Sequence, residues 1–207
     1  MGSFRLKRSA AAWRRDVVTL GIAAAIVVTA RSSLADHYFV PSGSMLPTVE
    51  PDDHVIVDKL AYGIRVPLLE DYAVHFSPPA RGDVVVLLSP DEGTVLLKRV
   101  VGLPGDRVTV TGGTLVIDGE SVPVVERAGK AIEALGATRH GISLAAGGGP
   151  DFGPVRIPAG RYLVLGDNRG DSRDGRYFGF VTRDAILGRV QGIIVRHGSP
   201  TWVTLSR

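Results

Sequence analysis

Short apolar runs, each closed by Gly, Pro or an acidic turn residue, fill this chain from about residue 54 onward. No 3.6-residue periodicity is sustained beyond the N-terminal segment, so a mostly β domain with a smaller inserted lobe is expected. The runs His54 to Val57, Val84 to Leu88, Thr94 to Val101, Arg107 to Val110 and Arg161 to Leu165 read as strands, with a further one between Ala185 and Val195. A loop through Pro67 and Pro79 follows the first. Leu103-Pro104-Gly105 reads as a turn, and Asp118-Gly119 as the tip of a hairpin. Between about Glu126 and Pro154 the strand pattern fails, and a loop-rich surface insertion is expected there. The expected division is a basic N-terminus with a membrane anchor over 1–35, a β core over 36–110 and 155–207, and an inserted lobe over 111–154.

The N-terminal segment differs in kind. Arg5, Lys7, Arg8, Arg14 and Arg15 precede Val17 to Ala30, which holds only apolar residues, Gly and Thr. As a helix that stretch is about 21 Å long, and about 27 Å if continued through Leu34 with Arg31 snorkelling to the far interface. A hydrocarbon core is roughly 30 Å thick. A single transmembrane helix is therefore expected, with the basic end cytoplasmic, the remainder extracytoplasmic and Trp13 near the interface. A cleaved signal sequence ending at Ser33-Leu34-Ala35 and a buried core helix are the alternatives. Net charge is only +3 and the basic cluster lies at the N-terminus, so no nucleic-acid surface is expected. The chain has no Cys, which excludes disulfides, zinc–thiolate sites and cysteine nucleophiles.

Two segments carry candidate chemistry. Pro41-Ser42-Gly43-Ser44-Met45-Leu46-Pro47-Thr48 sets Ser44 on a turn with room around it. A serine hydroxyl attacks only when a neighbouring base takes its proton. None of the five histidines (His37, His54, His75, His140, His197) stands in a triad context, and position 42 is Ser where a nucleophile elbow has Gly. Lys98 stands among Leu96, Leu97, Val100 and Val101. At an unperturbed pKa near 10.4 only about one lysine in 2,500 is neutral at pH 7. Lowering it by roughly three units frees a large fraction, at a differential cost of about 4 kcal/mol. Strand alternation sends Lys98 to the face of Leu96 and Val100, where burial would desolvate it; an edge-strand lysine reaching solvent is the other reading. A third segment, Gly166 to Arg176, packs alternating charges and turn residues directly after an apolar strand, which suggests a structured loop beside a site. Its Asp167, Asp171 and Asp174 lack the remainder of a calcium loop, and it reads otherwise as a solvated turn.

In this order these segments resemble bacterial type I signal peptidases, membrane-anchored Ser-Lys endopeptidases. The likeness runs through the basic N-terminus, the anchor, Pro41 to Thr48, Gly82-Asp83-Val84-Val85, Lys98 to Asp106 and Gly166 to Arg176. It implies an all-β, partly barrel-like arrangement of coiled antiparallel sheets, in the bacterial plasma membrane with the catalytic domain outside. It implies Ser44 as nucleophile, Lys98 as general base, and an oxyanion hole from the Ser44 amide and the Ser42 hydroxyl. Ser172 would orient the lysine amine. Asp174 with Arg176, and Asp167 with Arg99, would form supporting ion pairs. Val40, Met45 and Leu97 would line shallow pockets for the small residues one and three positions before the cut. Signal-peptide-bearing preproteins and the lipid bilayer are the implied partners, and no cofactor or metal is implied. Gly170, Asp171 and Gly175 depart from the family's usual Asp, Asn and Ser, which puts the rigidity of that loop in doubt. A pilin-maturation peptidase, a repressor-type self-cleaving protease and an inactive membrane-tethered assembly protein of the same fold remain as alternatives.

Overall fold

The computed structural model describes residues 13–22, 35–65 and 72–205. Residues 13–22 are helical, and Trp13, Leu20 and Ile22 on that helix are 64%, 69% and 57% exposed, packed against no core. The described residues thus do not form a buried core helix. No helix among them is long and apolar enough to cross a membrane. Most of the expected anchor, residues 23–34, and the Ser33-Leu34 part of the cleavage reading lie outside the described residues.

The rest is β-structure. One eight-stranded sheet runs β1 (Ala35–Phe39), β2 (His54–Asp58), β16 (Ile186–Arg196), β5 (Val84–Leu88), β6 (Val95–Gly102), β14 (Arg161–Leu165), β15 (Val181–Thr182), with β17 (Ser199–Thr204) also paired to β16. Every pairing in it is antiparallel. The uninterrupted apolar run of β5 reflects burial on both faces. Val84 and Val86 join Val40, Met45, Val49, Val55 and Val57 in one core, while Val85 and Leu87 join Tyr62, Val100, Val164 and Ile186 in another. β16 separates β2 from β5, and register shifts at 186–188, 190–192 and 193–195 bend it so that the sheet curls.

A four-stranded sheet, β13 (Phe152–Arg156), β7 (Arg107–Thr111), β8 (Thr114–Ile117) and β9 (Glu120–Ser121), packs its Val108, Val110 and Leu115 against Val101, Leu163 and Leu165 of the main sheet. The hairpin expected at Asp118-Gly119 joins β8 to β9. β3 (Gly63–Arg65) and β4 (Tyr72–His75) pair where a loop was expected, because Tyr72 buries its ring in the second core and bonds the Ile186 carbonyl.

The expected loop-rich insertion is corrected more substantially. β10 (Val124–Arg127), β11 (Lys130–Leu135) and β12 (Thr138–Ile142) form a three-stranded antiparallel sheet. Two local features hid it. The β10–β11 turn is Ala128-Gly129 with φ of 50° and 73°, and an alanine seldom announces a left-handed turn position. The inward side chains also include Glu133, Thr138 and His140 beside Leu135 and Ile142, so polarity does not mark the outer face.

Candidate active site

Ser44 sits in the turn between β1 and β2. The turn is pinned by Met45 and Val49, both 0% exposed, and by amide bonds from Leu46 to the Gly43 carbonyl and from Val49 to the Met45 carbonyl. Lys98 lies mid-strand on β6, opposite Val85, and is 2% exposed. Its Nζ reaches the Ser44 Oγ at 2.9 Å and the Leu97 carbonyl at 2.9 Å. Burial pushes the Lys98 pKa down from 10.5 to about 8, against the opposing pull of the Asp174 and Asp167 carboxylates. At about 8, roughly a tenth of the amine is neutral at pH 7 and half at pH 8. At 2.9 Å the neutral amine can accept the hydroxyl proton. The Ser42 hydroxyl lies 3.5 Å from the Ser44 Oγ, on the same side of the turn. Among the described residues, no histidine bonds the Ser44 hydroxyl.

Beside the pair opens a cleft of about 210 Å³, lined by Tyr38, Val40, Ser42, Ser44, Val86, Leu97 and Lys98 among others. Val40 and Leu97 both line this cleft, as expected of pocket residues. Met45 does not: it is wholly buried in the core beneath Val40, because the turn aims it inward, so the expected pocket-lining position is corrected to a supporting one.

The loop 166–176 braces the turn. The Asn168 amide donates to the Ser44 carbonyl and its Nδ2 to the Gly43 carbonyl, both at 3.1 Å. Arg99 holds Asp167 through Nε at 2.9 Å and Nη2 at 2.7 Å, and the Thr48 hydroxyl donates to the same carboxylate. Burial alone would raise the Asp167 pKa, but Arg99, with His140 and Thr48, holds it below the ordinary carboxylate value. Asp174 and Arg176, their side chains 0% exposed, pair through Nε–Oδ1 and Nη2–Oδ2, each 2.8 Å. Asp174 also accepts from the Gly166 and Arg176 amides, capping the short helix Gly175–Phe178.

Both expected ion pairs are therefore formed. The expected contact between Ser172 and the lysine is not: among the described residues the buried Ser172 Oγ has no hydrogen-bond partner, and the Leu97 carbonyl takes the amine instead. The departure at Gly170 does not loosen the loop, since a Cβ there would lie 2.3 Å from the Ala146 carbonyl oxygen. The backbones simply pass too close for a side chain. Among the described residues, no group of three or more His, Asp or Glu is placed to hold a metal ion.

Sequence reasoning gave no role to Asn168, which bonds the nucleophile turn, to Thr48, which ties that turn to Asp167, or to Glu133, His140 and Arg169 behind it. Glu133 accepts both Nη groups of Arg169 at 2.8 and 2.6 Å, and His140 Nε2 lies 3.2 Å from the same carboxylate. Burial would raise Glu133, yet His140 and Arg169 hold its pKa below the ordinary value. Asn168 and Arg169 lie inside a segment already marked by its charges. Glu133 carries no local signal at all.

Comparison with known proteins places these features in context. A family model described as "Signal peptidase, peptidase S26" matches residues 13–195. The chain is 35% identical over 183 residues to a signal peptidase I of Leptolyngbya laminosa, covering 84% of this chain and 75% of that protein. It is 32% identical over 188 residues to a signal peptidase I of Bacillus licheniformis, covering 89% and 88%. A signal peptidase I of Pseudomonas fluorescens is 40% identical over 167 residues, and there the chain spans 58% of the relative's length.

Proposed function

The chain belongs to the signal peptidase family, peptidase S26, and from that membership we propose that it is a membrane-bound serine endopeptidase that removes N-terminal signal peptides from exported preproteins by a Ser44–Lys98 dyad. The supporting observation is the buried Lys98 amine, its pKa lowered to about 8, standing 2.9 Å from the Ser44 hydroxyl. The neutral amine takes the hydroxyl proton as Oγ adds to the scissile carbonyl. The oxyanion is received by the Ser44 amide and the Ser42 hydroxyl. The ammonium then protonates the departing amine, leaving an acyl ester on Ser44. Lys98, neutral again, takes a proton from water as that water attacks the ester, then returns it to the Ser44 Oγ as the acyl group leaves. Asp167 with Arg99, and Asp174 with Arg176, hold the surrounding loop, with Ser172 buried within it. Val40 and Leu97, with Val86, bound a space suited to Ala-sized residues before the cut.

The anchor reading draws support from the helix at residues 13–22, whose apolar side chains Trp13, Val17, Val18, Leu20 and Ile22 stand exposed among the described residues. With Arg5, Lys7 and Arg8 ahead of it, the N-terminus lies in the cytoplasm and the β domain outside the bacterial plasma membrane. The direct test is cleavage of an Ala-x-Ala preprotein by the purified full chain in lipid, with the product's new N-terminus sequenced. Cleavage at that site lost on Ser44→Ala is expected; a Ser44→Ala protein that still cleaves overturns the proposal.

Two further outcomes follow from the same geometry. The kcat/KM for such a preprotein should climb about tenfold per pH unit on the acid side and level off above about 8, as Lys98 loses its proton. A pH–rate profile flat between 6 and 8 would remove Lys98 as the base. Ser42→Ala should lower kcat by about 10²- to 10³-fold, the usual loss of one oxyanion donor. Wild-type kcat in that variant would take Ser42 out of the mechanism.

A further inference from the structure

We infer that Glu133, on the inserted sheet β10–β11–β12, is a positioning residue for the nucleophile, acting through Arg169 and Asn168. The inference rests on the Ser44–Lys98 reading above. Glu133 and Arg169 are both fully buried, and the guanidinium meets the carboxylate with two nitrogens at once. Arg169 also donates through Nε to the Gly166 carbonyl and through Nη1 to the Gly113 carbonyl. Its own carbonyl accepts from Arg176, and its amide donates to the Ser143 carbonyl at 2.9 Å. The Ser143 amide in turn donates to the Asp167 carbonyl at 2.8 Å, so the end of β12 is zipped to residues 167–169 from both sides. Asn168, enclosed by that zipper, bonds the Ser44 and Gly43 carbonyls. An unbroken series of contacts therefore runs from Glu133 to the nucleophile turn. His140, two residues into β12, lies 3.2 Å from Glu133 and 3.8 Å from Asp167, which places the same sheet against the second buried ion pair.

A buried ion pair adds little net stability over an apolar pair of similar volume, because both charges must be stripped of water. What the forked pair does supply is a fixed position: two parallel bonds set both the direction and the distance of the Arg169 backbone. An apolar pair would fill the space without setting that register. This separates positioning from mere support and dictates the test. Glu133→Leu and Arg169→Met are combined in the full chain, assayed in lipid against an Ala-x-Ala preprotein, with Ser44→Ala alongside. Losing Arg169 also strands the Gly166 and Gly113 carbonyls, so the double variant is expected to unfold somewhat below the wild-type midpoint but to stay folded at the assay temperature. Per folded molecule it should keep KM within about twofold, while kcat falls about tenfold or more, since small misplacements of a reacting group cost up to about 10²-fold. Wild-type kcat in the folded double variant overturns the inference. So does a loss of kcat that only follows a loss of folded protein. If Ser44→Ala itself still cleaves, the reading of the dyad fails instead; if Ser44→Ala is dead and the double variant is unimpaired, only the role of Glu133 falls.

Discussion

Lys98→Met is expected to abolish preprotein cleavage and, at the same time, to raise the unfolding midpoint. The first effect follows from removing the base: loss of a dyad member should lower kcat by at least about 10³-fold. Lys98→Arg should be equally inactive, because a guanidinium stays protonated at any working pH and cannot accept the Ser44 proton. The second effect follows from linkage. The folded-state pKa of Lys98, about 8, lies below its ordinary 10.5. Folding therefore works against the charged amine wherever it is protonated. That penalty is fully present below about pH 8 and fades as pH rises from there through 10.5. The gap corresponds to about 3 kcal/mol at neutral pH. Met fills nearly the same space without a charge, so it should recover up to that amount at pH 7 and none of it above pH 10.5. Denaturant midpoints for both proteins at pH 7 and pH 10.5 decide it. A Lys98→Met protein that is less stable at pH 7 would show that the amine is not desolvated as described.

Asp174→Ala is expected to damage the fold as severely as Lys98→Met damages the chemistry. The substitution leaves the Arg176 guanidinium buried without its counter-charge and strands the Gly166 amide that Asp174 accepts from. Breaking a buried pair from one side costs about 3–5 kcal/mol. For a chain of this size that lowers the thermal midpoint by on the order of 10 °C. Calorimetry on the two proteins in the same detergent would check it; a midpoint within a degree or two of wild type would mean the carboxylate is not needed to keep Arg176 inside. Removing both partners at once, as Asp174→Leu with Arg176→Met, should recover much of the loss.

The main sheet was legible in the sequence for a local reason: Val84 to Leu88 is apolar without a break, as a strand buried on both faces must be. Lys98 was not, since a lysine among apolar strand residues reads equally as an edge residue reaching solvent; the order of the segments, shared with the signal peptidases, singled it out. Ser44 stands in a turn whose Gly and Pro residues mark it. The inserted sheet was not legible because its inward positions include Glu133, Thr138 and His140, whose partners lie far along the chain. A carboxylate reads as a surface residue until Arg169 is known to meet it. Ser172 and Met45 show the complementary limit. Their segments were identified correctly, yet the direction of each side chain is set by packing: the Leu97 carbonyl occupies the lysine, and the core claims the methionine. Asn168 could have been suspected from its place in a charged loop, but nothing in its neighbourhood in sequence points to the Ser44 carbonyl.

The strand order of the main sheet also has a consequence for timing. β2, which follows the serine turn, and β5, which leads into the lysine strand, share no edge; β16 lies between them. A nascent chain that ends before residue 186 already holds both reactive side chains and the Asp167 brace between Thr48 and Arg99, but no strand yet joins β2 to β5. The main sheet is therefore joined only late in synthesis, when the segment from Ile186 to Arg196 pairs with both.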